Sequence, residues 1–451
     1  MRGRAASAII FLLVAAAWPA PPARAQAGLG RALSQLAPVF GEPSVYDQRE
    51  GKEEIFVIAR RYGVSASAVH NAHVGDLLAG GETLLIPTQH IAPLPRAEGI
   101  VVNLTERNLY LYQNGRPVRC FPVAIGRRGW ETPTGEYTII NKARNPTWFP
   151  PSWAVEEDPV PPGPDNPLGD RWMGLSIRGY GIHATNKPAS IGRYVSHGCI
   201  RMYPEQAHEL FDLVGVGTPV QIIYARIVLG FRPEEGVVYM AHYPDPYQFG
   251  EVRPEYVRQH AAEYDLDQVL DMEAVARALE RPSGVPTAVI GSRTRVVVNG
   301  RLVEFALGPT RMGEDWLVPA APLVTALGAE MEVGEGAGYC LIRRSGRRVF
   351  LSPGDATALV NGSLVPLGAA PQVAAGYAMV PVRGLAEALG ATVEWDEEAD
   401  TIVVEDREPW RAAGERPGPR AGGPTGRSGG GRAGGRGRGG AEGQESNGLG
   451  R

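Results

Sequence analysis

The sequence predicts a multidomain, mainly β protein with a disordered tail. Three observations carry that reading. From about residue 97 to 224, apolar and polar positions alternate and an Asn-Gly pair separates two such runs. That is the signature of antiparallel strands joined by tight hairpins. From about 293 to 405, one strand–helix–strand pattern occurs twice. From about 406 to 451, Gly, Arg and Pro displace almost every apolar residue. Such a segment cannot bury a core.

The 451 residues suffice for two to four domains, and the net charge of −4 excludes a general polyanion binder. The chain opens MRGRAASAIIFLLVAAAWPAPPARAQ. Arg2 and Arg4 make a basic start, Ala8 to Ala17 is apolar, and Ala23-Arg24-Ala25 is a small-x-small cleavage site. Residues 1–25 therefore read as a secretory signal peptide cut near Ala25. The apolar run is too short to span a bilayer, and no later segment is long enough. The mature protein is expected to be exported, periplasmic or extracellular, in contact with the cell wall.

A compact block covers residues 44–88. Ile55, Ile58, Ala59 and Tyr62 recur at helical spacing, Gly63 ends that helix, and Val64 to His70 begins a second. Leu84-Leu85-Ile86-Pro87 reads as a closing strand, which gives the order βααβ. The β-rich block at 97–224 follows. Asn114-Gly115 joins Leu109–Tyr112 to Val118–Phe121, and Thr132-Pro133-Thr134-Gly135 turns into a strand at Glu136–Asn141. The Pro-rich stretch NPTWFPPSWAVEEDPVPPGPDNPLGDRWMGL suits neither a central strand nor a regular helix. Its tryptophans, Trp148, Trp153 and Trp172, argue for a packed loop over a groove. Strands at Leu175–Ile177 and ending at Ile182-His183, a helix at Glu205–Leu213, and a strand at Pro219–Tyr224 complete the block. Residues 225–285 read as a mixed extension with one or two helices.

In the block at 293–405, DWLVPAAPLVTALGAEMEV from Asp315 matches YAMVPVRGLAEALGATVEW from Tyr377. VVVNGRLVEF from Val296 likewise matches TALVNGSLVPL from Thr357. The block is a duplicated ββ–β–helix–β unit. From Arg411 onward the tail carries eight Arg against three Glu. In an exported protein that favours anionic wall polymers over nucleic acid, with a solvated tail that binds neither as the equal alternative.

The chemistry concentrates in VSHGCIRM, Val195 to Met202. The chain has three cysteines, Cys120, Cys199 and Cys340, so at least one is free. Without CxxC pairs or Cys/His clusters, a zinc site has little support. No metal or cofactor is expected. Cys120 and Cys340 sit in strand patterns as core residues. A thiol becomes a nucleophile only with a base or cation at hand. His183 lies sixteen residues before Cys199 and His197 two before it. Gly198 permits a sharp turn in which the Gly198 and Cys199 amides are free to stabilise an oxyanion. Arg201 adds a positive charge. A buried structural cysteine remains the alternative on residue types alone.

HATNKPASIGRYVSHGCIRM resembles the catalytic signature of the YkuD-type L,D-transpeptidases: a His, a spacer, then Ser/Thr-His-Gly-Cys, a hydrophobic residue, and Asn or Arg. Every signature position is filled. GRRGWETPTGEY, NPTWFPPSW and PPGPDNPLG also look like that family, over about Ile100 to Tyr224. One departure is Ala184, where the family commonly has Gly; its methyl is expected to alter the acyl pocket slightly. The resemblance implies that Cys199 is the nucleophile and His183 the general base, oriented by a backbone carbonyl. Ser196 and His197 would shape the site, Gly198 would allow backbone approach, and Arg201 would supply charge. Trp148, Trp153 and Trp172 would line the substrate groove.

The implied reaction breaks the bond between the third, L-configured residue of a peptidoglycan stem and its terminal D-alanine. A thioester forms and passes to an amine of a second stem, a 3→3 cross-link. With water as acceptor the protein would be an L,D-carboxypeptidase. With an inert site it would be a wall-binding scaffold. Carbapenems are the implied inhibitors. The block at 44–88 resembles LysM, a glycan-binding domain, through Ile58-Ala59, Arg61-Tyr62-Gly63, Asn71, Gly81 and Leu84–Pro87. The duplicated block resembles the copper amine oxidase N-terminal-like (stalk) domain. It holds no His, and copper does not follow. A sortase-like acyltransferase is a poorer fit, because its base normally lies far from its cysteine in sequence.

Overall fold

The computed structural model describes residues 31–47, 53–73, 83–93, 96–151, 158–333 and 339–406. Residues 1–25, read from the sequence as a signal peptide, the tail beyond Asp406, Gly81 and Trp153 lie outside them. Among the described residues, no helix is long and apolar enough to cross a membrane.

A short helix α1 (Arg31–Gln35) leads into strand β1 (Ala37–Phe40). The next block is β2 (Ser44–Asp47), α2 (Ile55–Arg61), α3 (Ala66–Ala72) and β3 (Thr83–Ile86), with β2 and β3 antiparallel. The βααβ order matches the one read from the sequence. Gly63, at φ 72°, lets the chain leave α2, and Ser65 caps α3 by accepting from Ala68 N–H at 3.1 Å. Ile58, Ala59, Val64, Val69, Leu84 and Ile86 form its small core. A two-residue strand β4 (His90–Ile91) follows.

Nine strands then close on themselves. They are β5 (Gly99–Asn103), β6 (Asn108–Gln113), β7 (Arg116–Gly126), β8 (Gly135–Arg144), β9 (Arg171–Leu175), β10 (Gly181–His183), β11 (Tyr194–Ser196), β12 (Ile200–Met202) and β13 (Pro219–Ile223). Their order is β11-β7-β12-β10-β9-β8-β13-β5-β6, and β6 also pairs with β7. The eleven-residue β7 makes closure possible, since its first half pairs with β6 and its second with β12 and β11. The Asn114-Gly115 turn has φ of 52° and 76°, as a two-residue primed turn requires. Helix α4 (Pro204–Leu213) buries Ala207, Leu210 and Phe211 against the barrel core. Lys142 Nζ donates to Phe211 O and Val214 O, which satisfies carbonyls at that helix's C-terminus.

One strand boundary differs from the sequence reading. The strand expected at Leu175–Ile177 is β9, Arg171–Leu175, inside the end of the Pro-rich stretch and between β8 and β10. The last proline of the stretch is Pro167, so backbone donors are available from Leu168 onward.

The extension holds β14 (Ile227–Arg232), β15 (Val237–His242), α5 (Pro254–Ala262), α6 (Met272–Glu280) and β16 (Thr287–Ile290). The two helices lie where the sequence placed them; the hairpin β14–β15 was not read from it. β1, in what reads as a connector, pairs in parallel with β14 (Ala37 with Gly230). Arg232, 2% exposed, ties the two together through Glu42 at 2.5 Å and Glu235 at 3.0 Å.

The C-terminal module runs β17 (Arg295–Val298), β18 (Arg301–Val303), β19 (Thr310–Met312), β20 (Asp315–Pro319), α7 (Ala320–Ala326), β21 (Glu330–Val333), β22 (Cys340–Arg344), β23 (Arg347–Leu351), β24 (Thr357–Val360), β25 (Ser363–Pro366), β26 (Gln372–Ala374), β27 (Tyr377–Pro381), α8 (Val382–Ala388), β28 (Ala391–Asp396) and β29 (Thr401–Asp406). The duplication shows in the pairing. β20 and β27 run antiparallel with Val318 opposite Val380, its own counterpart in the other copy. β17 of the first copy pairs with β29 of the second, so the two copies share one core.

The βααβ block packs onto the barrel beside the strand that enters the SHGC turn. Arg60 grips Glu205 in two bonds of 2.8 and 2.7 Å, and Ser67 Oγ donates to Gly192 O at 2.6 Å. Gly192 has φ 84°, and a Cβ there would lie 2.4 Å from Ser65 Cβ and 2.5 Å from Ser67 Oγ. Gly192→Ala is therefore expected to cost about 1–3 kcal/mol. Hydrogen exchange should rise first in α2 and α3. Unchanged protection there would disprove the contact.

Candidate active site

The SHGC turn connects β11 to β12. Ser196, 1% exposed, braces it from within: Oγ donates to Cys199 O at 2.6 Å and accepts from Gly198 N–H at 3.1 Å. The Gly198 amide is thus used, which corrects the expectation that both turn amides are free. The Cys199 amide is the remaining oxyanion candidate. Gly198 has φ 109°, and a Cβ there would meet Tyr180 Cε1 at 2.4 Å, so only glycine fits.

β10 and β12 are parallel neighbours, with His183 opposite Arg201. Cys199 stands two residues before Arg201. Pleating therefore sends His183, Arg201 and Cys199 toward one face. All three open into one cavity of about 620 Å³. Ser196, His197, Trp148 and Trp172 line it too, so the described candidates converge. Trp172 faces His183, ring centroids 5.9 Å apart, and its Nε1 donates to Asn141 Oδ1 at 2.9 Å.

His183 is 3% exposed, and its Nδ1 lies 2.5 Å from Ala184 O. A carbonyl only accepts, so Nδ1 carries the proton and Nε2 keeps its lone pair. The carbonyl orientation expected from the sequence is therefore present. Burial, and then the nearby Arg201 charge, pulls the imidazole from 6.5 down to about 4. Burial pushes the Cys199 thiol up, against opposing pulls from the Gly181 N–H and Arg201. At neutral pH the resting pair is thiol and imidazole. Burial also lowers Arg201, and no carboxylate partners it among the described residues. Its Nε is buried without a hydrogen bond. A half-buried guanidinium with no carboxylate beside it favours binding of an anion.

His197 is differently placed. Arg127 donates to its Nε2 at 2.8 Å, and Trp130 meets the ring edge-on at 4.9 Å. Its Nε2 lone pair is thereby occupied. Ala184 is also not where the sequence reading put it. Its methyl is fully buried in the barrel core against Gly169, and it does not line the cavity.

The Pro-rich segment forms one wall of the cavity. Trp148 and Val160 exchange backbone hydrogen bonds at 2.9 Å, which draws the segment's two described ends together. Fully buried Asn166 secures them: Nδ2 reaches Pro146 O, Val160 O and Pro161 O at 2.9–3.2 Å, and Oδ1 accepts from Leu168 N. Prolines supply no N–H, so a side-chain amide satisfies these carbonyls.

Sequence reasoning missed Asn166, Thr132 and Tyr247. Thr132 Oγ1 donates to Gly198 O and accepts from Gly126 N–H, both at 2.9 Å. Tyr247, from the extension, donates to Gly126 O and accepts from Thr132 N–H, both at 3.1 Å. Thr132 was legible as a turn residue only; no local pattern reports a partner 66 residues away. Thr132→Val would leave two buried backbone groups unsatisfied, at about 1–3 kcal/mol. A lower kcat with little change in KM is expected, because the turn that carries Cys199 loosens.

Residues 97–222 match the family model of the L,D-transpeptidase catalytic domain. The chain is 34% identical to a protein named as an L,D-transpeptidase, ErfK/SrfK of Salmonella typhimurium, over 52% of this chain and 82% of the relative. It belongs to the L,D-transpeptidase family. A second relative named for that activity, YkuD of Bacillus subtilis, is 36% identical over 39% of this chain and 97% of its own. The solved catalytic domain of an Enterococcus faecium L,D-transpeptidase is 27% identical over 28% of this chain and 98% of its own, with a TM-score of 0.24. Residues 297–404 match the copper amine oxidase N-terminal domain. Among the described residues, no group of three or more His, Cys, Asp or Glu is placed to hold a metal ion.

Proposed function

We propose that this L,D-transpeptidase family member cross-links peptidoglycan through a thioester on Cys199. The observation that carries the reading is a neutral His183, its Nδ1 held by the Ala184 carbonyl, lining the same cavity as the Cys199 thiol and Arg201. His183 Nε2 takes the thiol proton as the sulfur attacks the carbonyl of the third stem residue. The carbonyl electrons move onto oxygen, toward the Cys199 amide. The intermediate collapses, the bond to D-alanine breaks, and the imidazolium gives its proton to the leaving amine. An amine of a second stem then attacks the thioester, His183 accepts its proton, and the thiol is regenerated. Arg201 would hold a substrate carboxylate. Trp148 and Trp172, with Trp153, would line the donor groove and limit access of water.

The protein acts, on this reading, after export, with the βααβ block holding glycan strands. Incubation with a tetrapeptide-stem muropeptide, with and without an acceptor stem, tests it by mass spectrometry. An acyl adduct on Cys199 and a 3→3 dimer are expected. Tripeptide product alone would assign an L,D-carboxypeptidase. No adduct on folded protein, with a carbapenem also failing to react, would leave only a wall-binding scaffold.

A further inference from the structure

The C-terminal module carries a groove of about 420 Å³ that the Cys199 chemistry does not use. Trp316 on β20 and Trp395 on β28 line it, ring centroids 5.4 Å apart and planes 32° from parallel. Trp395 is 39% exposed, so the pair presents an open aromatic surface. Around it stand carboxylates, among them Asp315 and Glu397, and the guanidinia of Arg311 and Arg383. Asp315 makes no ion pair among the described residues, and Arg383 donates to Val393 O at 3.0 Å.

The duplication supplies an internal control. A shift of 62 residues carries Asn299-Gly300 onto Asn361-Gly362 and Val318-Pro319 onto Val380-Pro381. It also sets Ala378 in the place of Trp316, Val333 in that of Trp395, Tyr377 in that of Asp315 and Ala321 in that of Arg383. Each half of the module builds the same strand–helix–strand unit with one of the two indoles, and the positions related to them by the repeat, Ala378 and Val333, carry none. Packing alone therefore does not require them, and the groove is a feature of one side only.

We propose that this groove binds a saccharide chain. A pyranose ring offers an apolar C–H face, which suits a pair of tilted indoles. Its hydroxyls and acetamides both donate and accept. That suits a wall holding carboxylates and guanidinia together better than a purely acidic one would. The binding is separate from Cys199, although the choice of an N-acetylhexosamine rests on the peptidoglycan reading above.

The test uses the full chain labelled with fluorotryptophan and titrated with chitotetraose, observed by fluorine NMR. The signals of Trp316 and Trp395, among eight tryptophans, are assigned with Trp316→Phe and Trp395→Phe. Both should shift saturably, and Trp395→Ala should weaken binding by about tenfold or more. Glu397→Gln, at an exposed position, should weaken it without changing Tm, which covers the case of a misfolded tryptophan variant. Three outcomes would overturn the proposal: no saturable shift, shifts confined to other tryptophans, or an oligolysine peptide moving the same two signals more tightly than the sugar. Because the readout is binding, a failed cross-linking assay leaves it intact, and its failure leaves Cys199 chemistry intact.

Discussion

Cys199→Ala is expected to eliminate the acyl adduct and to lower kcat by about 10⁶-fold, the order seen when a hydrolase nucleophile is removed. The fold should survive. The hydrogen bonds that shape the turn come from the Ser196 hydroxyl and the Cys199 backbone, not from the sulfur. The thiol donates to Gly179 O at 3.5 Å, a weak bond. Stability within about 0.5 kcal/mol of the parent is therefore anticipated. The same thiol should be the one labelled in native protein. Cys120 and Cys340 sit in strands, and burial pushes both thiols up, that of Cys340 to about 12. Because burial also raises Cys199, its alkylation by iodoacetamide should be slow at pH 7 and accelerate above the ordinary thiol value of 9. One label per chain, absent from Cys199→Ala, is the expected count. Fast labelling at pH 6 would mean a preformed thiolate and would contradict the thiol–imidazole resting state.

The hairpin of β6 and β7 was legible from the Asn114-Gly115 turn that punctuates two apolar runs, although Leu109 to Tyr112 are buried on both faces. The duplicated module was legible for a different reason: its two copies report on each other, down to Val318 opposite Val380. The hairpin β14–β15 was not legible. Its residues are buried on both faces almost throughout, which removes the alternation. β1 looked like a connector because its partner lies about 190 residues away, and four residues carry no periodicity of their own.

In the site, Cys199, His183, Ser196, His197 and Arg201 were legible as candidates because they lie in one contiguous stretch, and all five line one cavity. The supports were a different matter. Asn166 reads as a polar residue among prolines, yet it organises the cavity wall through three carbonyls. Tyr247 belongs to the extension, yet it holds the strand and the threonine that brace Gly198. Contacts of this kind depend on tertiary placement. Ala184 shows the converse. A departure from a family pattern suggested a changed pocket, but register turns that methyl into the core.

His183→Ala should reduce kcat by about 10²–10⁴-fold, the usual weight of a general base. His197→Ala should cost less, since its Nε2 is engaged by Arg127. The pH profile separates the two histidines more sharply. A base works when neutral, so activity should climb as pH rises through the His183 value. That value is about 4, set first by burial and then by Arg201. The acid limb of kcat/KM is thus expected near pH 4, well below an ordinary histidine's 6.5. Stability follows the same sign. The unfolded chain binds a proton below 6.5 that the folded chain refuses until about 4. This contribution is complete above 6.5 and is lost as pH falls through the folded value. Arg201→Met removes the second cause and leaves the first, so the limb should move up, yet stay below 6.5. An acid limb at 6.5 or above in the parent would remove His183 as the base, and would point instead to a histidine in contact with solvent.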